Sequence, residues 1–129
     1  MGLDNGITIK NVTRKKLPPF IRFPFDKDYL KNEVDICYWR KWWGLRNNII
    51  RILHMDDETY ERKLTRAEVG EISKLLYYFL TRDVEGLNHE YWENEVTRKI
   101  TIESIWNLFW LRIYMRFHPK AEVYFYDSY

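Results

Sequence analysis

The pattern of apolar and polar positions changes period several times along the chain, and each change predicts an element. Over residues 7–12, Ile7 and Ile9 alternate with Thr8 and Lys10, the two-residue period of a strand with one buried face. Pro18 and Pro19 then enforce extended backbone, because each ring fixes its own φ and crowds the residue before it. Pro24 demotes residues 20–25 to a short extended or edge segment. Alternation returns at Val34-Asp35-Ile36, and residues 34–38 read as a second, more central strand that leads directly into a helix.

Between residues 40 and 55 the period lengthens. Trp42, Leu45, Ile49, Ile52 and Leu53 recur at three- and four-residue spacing, the mark of an amphipathic helix, with Arg40, Lys41, Arg46 and Arg51 mainly elsewhere on its surface. Gly44 weakens this helix by roughly 1 kcal/mol relative to Ala, which suits close packing or a late start. Asp56-Asp57-Glu58 ends it, and residues 59–64 read as a polar edge strand. Thr65-Arg66-Ala67-Glu68 is a capping box, in which each side chain satisfies the other's backbone amide, so a second helix starts there. Val69, Ile72, Leu76 and Phe79 give it an inward stripe, residues 83–86 supply its stop, and Asn88 caps a short turn through Trp92. A third helix, residues 102–117, is apolar on most sides, ends at Pro119 and is expected at the centre of the core. Residues 122–126 are β-branched and aromatic and form a closing strand. Strands at both ends with helices between predict an α+β fold, a small, mostly antiparallel sheet with about three main helices packed on it, in one compact domain over residues 1–129.

Composition adds one unusual feature. Apolar residues make up 46% and charged residues 31%, ordinary globular usage, but aromatic residues reach 18%, with six Trp and ten Tyr in 129 residues. A core this small cannot hide so many rings, and Trp and Tyr carry polar atoms that seek partners, so some are expected at the surface. A lone cysteine, Cys37, and the lack of a signal-peptide layout point to a reducing cytoplasm. The most apolar run, residues 105–117, is interrupted by Asn107, Arg112 and Arg116 and is too short to span a bilayer, so no membrane association is expected. The net charge of +2 hides an asymmetry: residues 1–54 hold eleven Lys/Arg against five Asp/Glu, residues 55–97 five against eleven, and residues 98–129 five against three. A basic first segment invites an anionic ligand, or the segments neutralise each other across the fold.

The chain lacks a glycine-rich phosphate loop, a nucleophile elbow and a cysteine-based zinc pattern. His89-Glu90-Tyr91-Trp92-Glu93 resembles half of a zinc-protease helix, but Glu93 stands where the second His is needed, and it reads as an acidic solvated turn. No metal or cofactor is expected. His54 and His118 fall near predicted helix ends, where an imidazole answers free carbonyls, and the strand position of Cys37 suits packing rather than nucleophilic attack. Chemistry concentrates instead in Tyr38-Trp39-Arg40-Lys41-Trp42-Trp43-Gly44-Leu45-Arg46, where aromatic planes interleave with cations. Such a set can stack a base and neutralise a phosphate, each stacked base being worth roughly 1–3 kcal/mol. Tyr38, Trp42 and Leu45 suit the core, and Trp39, Arg40, Lys41, Trp43 and Arg46 are the candidate ligand-binding residues, with Tyr124 and Tyr126 completing a pocket from the last strand.

Met1-Gly2-Leu3-Asp4 together with Tyr38-Trp39-Arg40-Lys41 resembles the paired signatures of small uncharacterised bacteriophage proteins. The resemblance covers the first third of the chain, and beyond the second box Trp42-Trp43-Gly44-Leu45 departs from it. It implies a phage origin and, with no catalytic motif, a binding protein acting in the infected host's cytoplasm against its defences. Two modes are expected. In the first, the Trp39 to Arg46 cluster sequesters a small anionic, nucleotide-like signal. In the second, the chain inhibits a host defence protein by direct contact through an aromatic or acidic face. Nucleic-acid binding ranks below both, because the basic residues form no continuous stripe, and a homodimer would cover surplus aromatic surface.

Overall fold

The computed structural model describes residues 4–28, 30–56, 59–82, 87, 89 and 92–128. Strand β1 (Asp4–Lys10) pairs antiparallel with β2 (Glu33–Arg40) on one side and with β4 (Glu122–Ser128) on the other. The three-residue β3 (Glu61–Lys63) adds to β4, giving the sheet order β2-β1-β4-β3. Helices α1 (Trp43–Leu53), α2 (Arg66–Thr81) and α3 (Asn94–Phe117) complete an antiparallel α+β architecture. The second strand was expected to be the more central one. It lies at the edge, and the two strands farthest apart in sequence, β1 and β4, occupy the middle.

Strand alternation sorts the sheet into two faces. Ile7, Ile9, Val34, Ile36, Trp39, Val123 and Phe125 are buried on one face, where they meet Leu45, Ile49, Ile72, Leu76, Leu108 and Leu111 from the helices. Gly6, Thr8, Lys10, Glu33, Asp35, Tyr38, Glu122, Tyr124 and Tyr126 fall in register on the other face. A bulge in β2, where Ile7 pairs with Cys37 and Thr8 with Asp35, inserts Ile36 as the unpaired residue. The amide of Asn107 on α3 donates to the carbonyl of Ile36 at 2.9 Å and to that of Arg22 at 2.8 Å, while its oxygen accepts from the Arg22 amide at 2.8 Å. One buried asparagine thus fixes both the bulge and the long connection after β1. That connection is a 3-10 turn at Arg14–Lys16 followed by irregular chain, so residues 20–25 form no strand.

Helix α1 starts at Trp43, just before Gly44, after a turn in which Lys41 takes a φ of 54°. Helix α2 starts on the predicted capping box, with the Thr65 hydroxyl accepting from the Glu68 amide and the Glu68 carboxylate accepting from the Thr65 amide. Its stop at residues 83–86, the Asn88 cap and the end of the Asp56-Asp57-Glu58 run fall outside the described residues. Helix α3 begins well before residue 102, and its buried side is partly polar: Thr97, Thr101, Ser104 and Asn107 face inward with Leu108, Leu111 and Met115. The Thr97 and Thr101 hydroxyls donate to the helix's own carbonyls at Glu93 and Thr97, which satisfies them without a partner from the sheet. Among the described residues no helix is long and apolar enough to cross a membrane.

Candidate functional site

The sheet face opposite the helices carries tyrosines and charges, and no described helix packs on it. The Tyr38 hydroxyl donates to Asp4 at 2.8 Å, and the Tyr38 ring lies 5.0 Å from that of Phe25 in the connection after β1. Burial, then the hydrogen bond to Asp4, pushes the Tyr38 phenol up to about 12. Lys10 lies over the Tyr124 ring at 4.5 Å and pairs with Glu61. Tyr126 extends across β1, where Gly6 leaves it room. A Cβ at Gly6 would sit 2.9 Å from the Tyr126 hydroxyl and only 2.2 Å from the backbone oxygen of Cys37.

Where these side chains meet the end of the long connection, a cleft of about 200 Å³ opens, lined by Thr8, Leu30, Glu33, Asp35, Tyr60, Glu61 and Tyr126. Three carboxylates and two phenols therefore converge on a space smaller than the 300 Å³ or so at which drug-sized pockets begin. Burial, reinforced by the nearby Glu33 and Asp28 and opposed by Arg14, pushes the Asp35 carboxyl up to about 6. Burial, and next the charge of Asp35, also pushes the Tyr126 phenol up. A cationic group entering the cleft would relieve this carboxylate repulsion and could lie against a phenol ring. The cleft suits one basic side chain or amine, and both its volume and its charge disfavour a nucleotide.

The seven residues singled out from the sequence fall at three places. Trp39 is fully buried on the helix-covered face, its indole donating to the Ser104 hydroxyl at 3.1 Å. Arg46 is buried too, and its guanidinium grips Asp127 through Nη2 at 2.8 Å and Nε at 3.0 Å. Arg40 and Trp43 are exposed at the corner between β2 and α1, beside Lys41, with the Trp43 ring centre 5.9 Å from the Arg46 guanidinium. Tyr124 and Tyr126 are half-buried on the open sheet face, and Tyr126 lines the cleft. Trp42, Leu45 and Cys37 are core residues, and burial pushes the Cys37 thiol up, away from the reactive thiolate. His118 accepts its expected role, its ring nitrogen 2.9 Å from the Tyr114 carbonyl. In the His89 string, Glu90 and Tyr91 fall outside the described residues, while the His89 ring stacks on Trp92 at 4.3 Å.

Sequence reasoning missed Glu33, Asp35 and Tyr60. The signal was present in the alternation itself, which sets Glu33 and Asp35 on the face opposite Val34, but that face gains meaning only once the pairing with β1 and β4 is known. No family model matches the chain, and neither a curated protein nor a solved structure does.

Proposed function

We propose that this chain is a non-catalytic binding protein that engages a host protein, and that the carboxylate cleft on the open sheet face receives an Arg or Lys side chain of that partner. The observation that carries this reading is the convergence of Glu33, Asp35 and Glu61 with Tyr60 and Tyr126 around a space of side-chain size. Charge-assisted hydrogen bonds supply affinity there, and the aromatic walls supply contact with little loss of side-chain freedom. The resemblance to small phage proteins supports a defence factor of the infected cell as the partner class.

The test is a titration with a short peptide carrying one central arginine, followed through the ring resonances of Tyr60 and Tyr126. Binding should strengthen as pH rises through about 6, where Asp35 ionises, and should weaken at least about tenfold in Asp35→Asn/Glu61→Gln, the loss of two charged hydrogen bonds. Ring resonances that ignore the peptide at pH 7 would remove this reading. Capture of a small anionic, nucleotide-like ligand is the second reading, and the exposed Trp43 beside Arg40 and Lys41 favours it. A nucleotide that binds the wild type, and is lost in Arg40→Ala/Trp43→Ala while peptide binding persists, would transfer the function to that corner.

A further inference from the structure

Helix α3 carries a second apolar stripe directly opposite its buried one. Ile102, Trp106, Phe109, Ile113 and Phe117 recur at three- and four-residue spacing, which places them on one line of the helix, away from Ser104, Leu108, Leu111 and Met115. Ile102 is 49% exposed, Trp106 42%, Phe109 53% and Phe117 73%. Phe20, 56% exposed, extends the stripe sideways: its ring lies 4.8 Å from Trp110, which lies 5.9 Å from Trp106 and 5.3 Å from Phe109. The Trp106 indole donates to the Phe20 carbonyl at 2.7 Å and ties the connection to the helix. The result is a continuous ridge of rings held in place by its own contacts.

Its area decides what it fits. With about 200 Å² per aromatic side chain, these fractions leave about 500 Å² of apolar surface in water. A standard interface takes about 800 Å² from each partner, and a homodimer interface is about 65% apolar, so each copy must bring about 520 Å² of apolar surface. The ridge comes close to that requirement.

We infer that the ridge seats a second copy of this chain, with α3 packed antiparallel against α3 of the partner about a two-fold axis. A two-fold contact uses the same patch twice, and an aromatic centre can face itself in this way. Glu95 stands toward the N-terminal end of the outward line and Arg116 toward its C-terminal end. Antiparallel pairing sets each Glu95 toward Arg116 of the partner copy, whereas parallel pairing sets Glu95 against Glu95 and Arg116 against Arg116. Arg98 and Lys99 lie on the rim, where their stems cover apolar surface and their charged heads stay in water. The sheet cleft lies on the far layer of the fold, so the dimer presents two clefts pointing away from each other. That consequence rests on the binding reading above; the dimer itself does not.

Sedimentation equilibrium of the full chain tests the inference. The expected mass is twice the 16.1 kDa of one chain, and Trp106→Asp or Phe109→Asp should each raise the dimer dissociation constant by about 100-fold or more, with unchanged circular dichroism. Oxidation of Glu95→Cys mixed with Arg116→Cys should cross-link unlike copies, while Glu95→Cys alone should not; Cys37 is buried and silent. A chain that stays monomeric at high micromolar concentration overturns the inference. So does a dimer indifferent to both aspartates, a cross-linked Glu95→Cys pair, or a monomer that uses the ridge to bind anionic lipid vesicles.

Discussion

Trp39 and Arg40 are neighbours in sequence, yet the sheet sends them to different worlds. On the covered face Trp39 is packed into the core and most polar groups bond within the fold: Trp39 to Ser104, Arg46 to Asp127, Asn107 to Ile36 and Arg22, while the buried Asn5 amide finds no partner among the described residues. On the open face Lys10 pairs with Glu61 and Tyr38 bonds Asp4, but Glu33 repels the half-buried Asp35 beside the cleft and burial raises the Tyr126 phenol. The first face is closed by its own packing, and the second is the one on which we propose a partner binds.

That contrast can be broken most forcefully at Trp39. Trp39→Ala should cost about 4 kcal/mol, through the lost indole and the deserted Ser104 hydroxyl, a large part of the 5–15 kcal/mol or so that holds a domain together; urea denaturation measures it. Asp127→Ala should cost about 3 kcal/mol, because it leaves the buried Arg46 charge without its carboxylate. The double change Arg46→Met/Asp127→Leu should recover most of that loss, which thermal melts of the wild type and these two variants would show. Gly6→Ala should cost about 2 kcal/mol, since the new methyl meets the Cys37 carbonyl and must push β1 from β2.

Smaller effects sharpen the open-face side. The folded Asp35 carboxyl titrates near 6 against an ordinary value of 3.8, so the folded state holds its proton over the interval between, and stability falls as pH rises from about 4 to about 6. Asp35→Asn should flatten that slope and add about 1 kcal/mol above pH 6, a figure reduced for the solvent screening that reaches a half-exposed carboxylate; melts across the pH range record it. Tyr60→Ala should change stability by less than about 0.5 kcal/mol while weakening the arginine peptide. A Tyr60→Ala variant that unfolds would place this residue with the covered face instead.

The antiparallel α+β fold was legible because its signals are local. The Thr65 to Glu68 capping box is a four-residue chemical statement, and the alternation at Ile7-Thr8-Ile9 declares a strand whatever lies beside it. Strand order was not legible, since nothing within Val34 to Tyr38 records that β1 and β4 will pair with each other and leave β2 outside. Helix α3 misled for another reason. Thr97 and Thr101 hide their hydroxyls on the helix's own carbonyls, so polar residues turn inward and the apolar count no longer marks the buried side. The Trp39 to Arg46 cluster looked like one unit along the chain, but a strand end, a turn and a helix start distribute its side chains among three environments.

The pairing of β1 with β4 sets a timetable for synthesis. Asp4 bonds in register with Ser128 and Lys10 with Glu122, so the middle of the sheet cannot close until more than a hundred further residues have been made. At about 5–20 residues per second, a ribosome takes on the order of ten seconds to supply them. Throughout that time the Gly6-Ile7-Thr8-Ile9 edge stands bare, an apolar template for any extended chain that passes. The β4-facing edge of β1 thus waits unpaired while most of the molecule is made.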